Sequence, residues 1–132
     1  MTQDIRWKQR FSNFDKSLAN LREALNTANP NKLEQQGIIK AFELCYELAW
    51  KTLQDYLAEI GFEGAVGPKP VIRQAFEAGI IHDGEAWAQM HQARNESAHV
   101  YNEENARILE ARVRQDFAPL LRRLGDILRA KL

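Results

Sequence analysis

The stretch from Asn31 to Gly61 most limits what this chain can fold into. Written as a helix, it places Ile38, Ile39, Phe42, Cys45, Tyr46, Leu48, Ala49, Trp50, Leu53, Tyr56, Leu57 and Ile60 around most of its circumference. Only a narrow strip is polar: Lys40, Glu43, Glu47, Lys51 and Gln54. A helix that apolar is buried on more than one side. The pattern therefore reads as bundle core on one side and a subunit interface on another. Both ends carry stop signals. Asn31 is an N-cap with Glu34 at the capping-box position, and Gly61 stands where a left-handed C′ residue is expected.

The flanking segments supply the partners such a helix needs. Trp7, Phe11, Phe14, Leu18, Leu21, Leu25 and Ala28 follow a 4-3-4-3 spacing, one stripe along a first helix that Asn29-Pro30 should end. Gly61 to Pro70 is a connector rich in glycine and proline, without the Gly-Lys-Ser/Thr ending of a phosphate-binding loop. A short third helix over Val71 to Ala78 starts at Pro70 and stops at Gly79. A fourth begins after Asp83, a candidate N-cap, and a fifth after Asn102, with Glu103 and Glu104 in its first turn. Pro119 should kink the fifth. No strand-like alternation appears. The expected fold is all-α, an up-and-down four-helix bundle with an additional short helix, built as a single domain over 1–132.

Charge narrows the function. The 18 basic and 18 acidic residues cancel, so no global positive field draws the chain onto nucleic acid. Any RNA contact must come from a local patch or from dimer geometry. The one cysteine, Cys45, has no partner within the chain and reads as a small buried apolar residue. Asp4, Arg6, Lys8 and Arg10 break any secretory apolar run, and no stretch is long and apolar enough to span a membrane. A cytoplasmic protein with no membrane association is expected.

One segment does not look like scaffold: Arg94-Asn95-Glu96-Ser97-Ala98-His99-Val100-Tyr101. On a continuing helix Trp87, Met90, Arg94, Ser97 or Ala98, and Tyr101 share a face. Arg94 thus follows two large apolar residues onto covered surface, where its charge needs a partner. Glu43 and Glu47 lie one turn apart on the polar strip. They form either a solvated ion-pair face or a pair in which one carboxylate orients Arg94. His91, Asn95 and His99 make a second line at i, i+4, i+8, but no carboxylate or cysteine completes a ligand pattern, so neither metal nor cofactor is expected.

Arg94 and His99 are five residues apart, about 140° around a helix axis. Two routes could bring them to one phosphate: unwinding near Ala98, or a two-fold dimer joining two copies of the segment. An arginine fork matches phosphate oxygens and a histidine titrates near neutral pH. Together they suffice for metal-independent RNA cleavage, histidine moving protons and arginine stabilising the pentavalent charge.

Arg94-Asn95-x-x-x-His99-x-Tyr101 resembles the Arg-x4-His-x-Tyr signature of HEPN domains encoded beside minimal nucleotidyltransferases. Phe42 to Leu53, Ile72-Arg73-Gln74-Ala75-Phe76 and Trp87 also look like that family, in the same order over nearly the whole chain. The sequence is similar to the group called nucleotidyltransferase substrate-binding proteins. The resemblance implies a helical homodimer with the two motifs facing a shared cleft. It implies a ribonuclease toxin of a type VII-like toxin–antitoxin module acting on RNA, tRNA included, with Arg94 and His99 as the catalytic pair and Asn95 in support. It also implies that the partner nucleotidyltransferase, encoded nearby, transfers AMP from ATP to Tyr101 and silences the toxin. The alternative is a non-catalytic subunit that presents a substrate to that partner.

Overall fold

A computed structural model describes residues 3–132, with side chains from Ile5 onward, so the Asp4 side chain of the charged N-terminal run lies outside the description. Six α-helices among these residues make up the bundle: α1 (Gln3–Leu25), α2 (Lys32–Glu59), α3 (Pro68–Glu77), α4 (Gly84–Ser97), α5 (Glu103–Arg112) and α6 (Ala118–Arg129). A π-helical turn, Val113–Phe117, joins α5 to α6 without a break. The all-α, up-and-down bundle with one short helix is the architecture that the periodicities predict, and no strand occurs among the described residues.

The breadth of α2's apolar surface is used mostly within the chain. This helix touches α1, α3, α4, α5 and α6. Phe42, Cys45, Tyr46, Ala49, Leu53 and Leu57 are fully buried along it, and each large side chain of this kind contributes about 1.5–3 kcal/mol by leaving water. The side read from sequence as a subunit interface is thus largely covered by the second half of the chain; Leu33 and Leu44 stay exposed. Both caps of α2 form as read. Asn31 and Glu34 exchange side chain to backbone bonds at 2.8 Å each way. At the other end Gly61 takes φ 106°, with Phe62 N–H donating to Leu57 O and Gly61 N–H to Ala58 O, a Schellman closure.

Other boundaries move, each for a physical reason. α1 stops at Leu25 rather than at Asn29-Pro30, and Ala28 is exposed. Arg114 causes the early stop: its guanidinium donates to Leu25 O at 2.7 Å and Thr27 O at 2.8 Å while its Nε is held by Glu110 at 2.9 Å. Those carbonyls lie where an α-helix leaves acceptors without intrahelical partners. α3 starts three residues before Val71, because Pro68 and Pro70 both fit a first turn whose N–H groups need no helical partner. Asp83 does precede α4, but its carboxylate makes no cap; it binds Arg123 of α6 at 2.7 Å.

Pro119 does interrupt the last helix, through the π turn. Proline lacks an N–H and its ring crowds the carbonyl four residues back. The chain widens instead of breaking, and Ala118 N–H reaches Val113 O. This turn places Phe117 against Phe42, stacked at 5.4 Å between ring centres. Among the described residues no helix is long and apolar enough to cross a membrane.

Candidate functional site

The last turns of α4 lie against the polar strip of α2. Trp87 and Met90 are buried and carry Arg94, one turn on, over Glu43 and Glu47. Arg94 Nη1 is 3.8 Å from Glu43 Oε2, and Arg94 Nε is 3.5 Å from Glu47 Oε2. The contacts are ionic without being well-aligned hydrogen bonds, and Arg94 Nε is buried with no hydrogen-bond acceptor. Each glutamate is itself held. The Ser97 hydroxyl makes a short contact with the Glu43 carboxylate and also lies 2.7 Å from Arg94 O. Trp50 Nε1 donates to Glu47 at 3.2 Å. One guanidinium thus sits between two carboxylates on successive turns of α2.

Beside it runs a second polar chain. The Tyr46 hydroxyl and His91 Nδ1 are 2.8 Å apart, and Asn95 Nδ2 and His91 Nε2 are 3.3 Å apart. A neutral imidazole has one donor and one acceptor nitrogen, so it suits this arrangement. Burial lowers the His91 pKa, the Lys69 charge lowers it further, and Glu47 opposes both. Burial raises the Tyr46 hydroxyl far above its ordinary range, with Glu47 adding to the rise and Arg94 countering it, so Tyr46 keeps its proton. Asn95 is anchored through His91. Cys45, beside Tyr46 in the chain, is buried, and its thiol is pushed up to about 12 by that burial; it is a core residue.

The helix does not continue to Tyr101. α4 ends at Ser97, and His99 N–H closes a turn onto Glu96 O at 2.9 Å. His99 therefore leaves the helical path and lines an open groove of about 340 Å³ with Ser97, Asn105, Ile108 and Arg112. Tyr101 does not share the Trp87–Met90–Arg94 face; it is 87% exposed, its hydroxyl open to a large visitor. Unwinding at Ala98 is the route the chain takes, yet it does not unite the pair: Arg94 faces α2 and is not among the residues lining the His99 groove. The structure thus brings Arg94, Glu43 and Glu47 together and sets His99 and Tyr101 apart from them. The His91–Asn95–His99 line ends with the helix, and among the described residues no three His, Cys, Asp or Glu side chains cluster as metal ligands.

Three features escaped the sequence reading. Arg112 reaches the His99 groove from α5, its guanidinium 4.9 Å over the Phe117 ring; on α5 alone it looks like any solvated cation. Tyr46 and His91 are 45 residues apart, which no local spacing can connect. Ser97 lies on the covered face, but only the fold shows that it meets Glu43.

Comparison with known proteins gives the family and the fold. Residues 9–130 match the family described as nucleotidyltransferase substrate binding protein like. A curated relative from Haemophilus influenzae, named "Probable ribonuclease HepT", is 32% identical over 81 residues, 58% of this chain. The chain spans about 56% of that relative's length. A crystal structure of a Thermus thermophilus protein superposes with a TM-score of 0.76 at 32% identity, covering 89% of this chain and 97% of the other. A Haemophilus influenzae structure, described as revealing the fold of a substrate binding domain of a nucleotidyltransferase, gives 0.64 at 24% identity, covering 97% and 99%, and bears on the fold alone.

Proposed function

The chain belongs to the nucleotidyltransferase substrate binding protein like family, and from that premise we propose that it is a HEPN ribonuclease toxin silenced by AMP transfer to Tyr101. The observation that carries this reading is the irregular turn after Ser97, which presents His99 in an open groove and Tyr101 to solvent. The likeness to a relative named as a ribonuclease supports it.

In this reading His99 takes the proton from an RNA 2′-hydroxyl, or protonates the leaving 5′-oxygen. The 2′-oxygen attacks phosphorus, the bond to the 5′-oxygen breaks, and a 2′,3′-cyclic phosphate forms. Arg94 stabilises the charge on the pentavalent phosphorus, oriented by Glu43 and Glu47, while Asn95 supports the helix turn through His91. Arg94 and His99 face different ways in one chain, so a homodimer would supply His99 of one copy to Arg94 of the other. Silencing is a second transfer: the Tyr101 oxygen attacks the α-phosphorus of ATP, the phenolic proton is lost, and pyrophosphate leaves. The partner nucleotidyltransferase, encoded nearby, performs that step, and the charged adduct two residues from His99 repels RNA phosphates.

A non-catalytic subunit presenting a substrate to the nucleotidyltransferase is the second reading. Two observations favour it: the chain has zero net charge, and Arg94 is already engaged by two carboxylates. Intact mass and tRNA cleavage, measured on the chain alone and after co-expression with its nucleotidyltransferase, separate the two. An unmodified chain that cuts RNA, and an inert one heavier by AMP on Tyr101, is the expected result. No mass change and no cleavage in either sample would overturn it in favour of the second reading.

A further inference from the structure

A separate groove of about 360 Å³ lies between α3 and the first turns of α4, lined by Lys69, Ile72, Arg73, Phe76, Glu85 and His91 among others. Lys69 and Arg73, both in its lining, make no salt bridge among the described residues. Two such cations one turn apart on α3 form a local positive patch in a chain of zero net charge. Beside them Phe76 is 49% exposed, although Val71, Ile72 and Ala75 of the same helix are buried. Gly84 makes room for the ring: a Cβ there would come within 3.1 Å of it. The groove ends at His91, whose ring contacts Asn95, the neighbour of Arg94.

Free cations beside an exposed aromatic face are what single-stranded nucleic acid binds, phosphates on the cations and a base on the ring. We propose that the α3–α4 groove is a nucleotide subsite for single-stranded RNA, in which Phe76 stacks one base and Lys69 and Arg73 hold the adjoining phosphates. Glu85, the one acidic side chain of the lining, suits the amino group of a base or a ribose hydroxyl. The proposal rests on the ribonuclease reading: it gives the substrate a foothold one helical turn from Arg94 that the net charge of the chain does not supply.

The test measures anisotropy of a short fluorescein-labelled single-stranded RNA against salt concentration. The binder is the full chain carrying His99→Ala to prevent turnover, with and without Phe76→Ala or the pair Lys69→Gln and Arg73→Gln. Cleavage by the wild-type chain and the sedimentation of each protein are followed in parallel. Phe76→Ala should weaken binding about 5- to 100-fold, and the double change should lower the slope of log affinity on log salt by about 1.4. Phe76→Trp should restore affinity and add a tryptophan emission that RNA quenches. Unchanged affinity and slope in the variants, with RNA still bound and cut by the parent proteins, would overturn the subsite and leave the ribonuclease reading standing. No binding and no cleavage by any protein would overturn both. Variants that alter sedimentation but not RNA affinity would show that a second copy of the chain covers the groove, and would also overturn the subsite.

Discussion

Arg94→Ala tests the proposed chemistry, and the contacts of the guanidinium give what the change costs the fold. The guanidinium stands 3.5 Å from Glu47 and 3.8 Å from Glu43. At an effective dielectric near 20 each pair is worth about 4–5 kcal/mol of gross Coulomb energy. The side chains retain 26%, 17% and 35% exposure, and screening with desolvation offsets most of that. A net loss of about 2 kcal/mol remains, including a few tenths for two carboxylates left facing each other one turn apart. For a domain of this size that is a fall of roughly 6–10 °C in Tm. The assay is urea unfolding of Arg94→Ala in the wild-type chain and in a Glu43→Gln/Glu47→Gln background, where the cost should drop below about 1 kcal/mol. Equal costs in both backgrounds, or a cost under about 0.5 kcal/mol in the wild type, would refute the coupling. Typical domain stabilities of about 5–15 kcal/mol leave the variant folded, so lost cleavage in it would still report on chemistry.

Two further outcomes follow from contacts away from the guanidinium of Arg94. Arg114→Ala should cost about 2–4 kcal/mol, because it strips charge-assisted bonds from Leu25 O, Thr27 O and Glu110 together; Arg114→Lys should recover less than half, since an ammonium lacks the fork, and a loss below about 1 kcal/mol in denaturant titration would contradict the capping role. His91 should make stability pH-dependent. Its folded pKa lies below the unfolded value of about 6.5, so the unfolded chain binds the proton more readily, and the stabilisation is full above about pH 6.5 and lost as pH falls from there toward the folded pKa. The wild-type minus His91→Gln stability difference should shrink between about pH 7.5 and 5.5, and a difference that is flat or grows on acidification would count against it.

What could be read from the sequence is what is decided locally. The α2 caps depend on residues three or four apart, and the α1 stripe and the Pro119 interruption depend on helical periodicity and proline's missing donor. What could not be read is decided by distant chain. α1 ends where Arg114, 89 residues from Leu25, takes its carbonyls, and Asp83 abandons its cap for Arg123, 40 residues away. At the site, Glu43 and Glu47 could be matched to Arg94 because α2 offers so narrow a polar strip. The departure of His99 and Tyr101 from the helix could not be chosen over its continuation, since Ser97, Ala98 and Val100 include no glycine or proline to mark a stop. The arrival of Arg112 from α5 depends on how two helices dock, which no single helix encodes.

The π turn at Val113–Phe117 has a consequence for phase. From Leu109 to Leu128 there are 19 residues, which an unbroken α-helix would wind through five turns and about 100° more. A π turn absorbs about one residue, so this count brings Leu128 back into line with Leu109, and both are buried. The turn therefore works as a vernier between two faces with different duties. It lets α5 aim Asn105, Ile108 and Arg112 at the groove of His99 while α6 keeps Leu121, Leu124 and Leu128 on the core. A strictly periodic helix of the same length could serve one of those faces, and the other would be rotated about a quarter of a turn out of place.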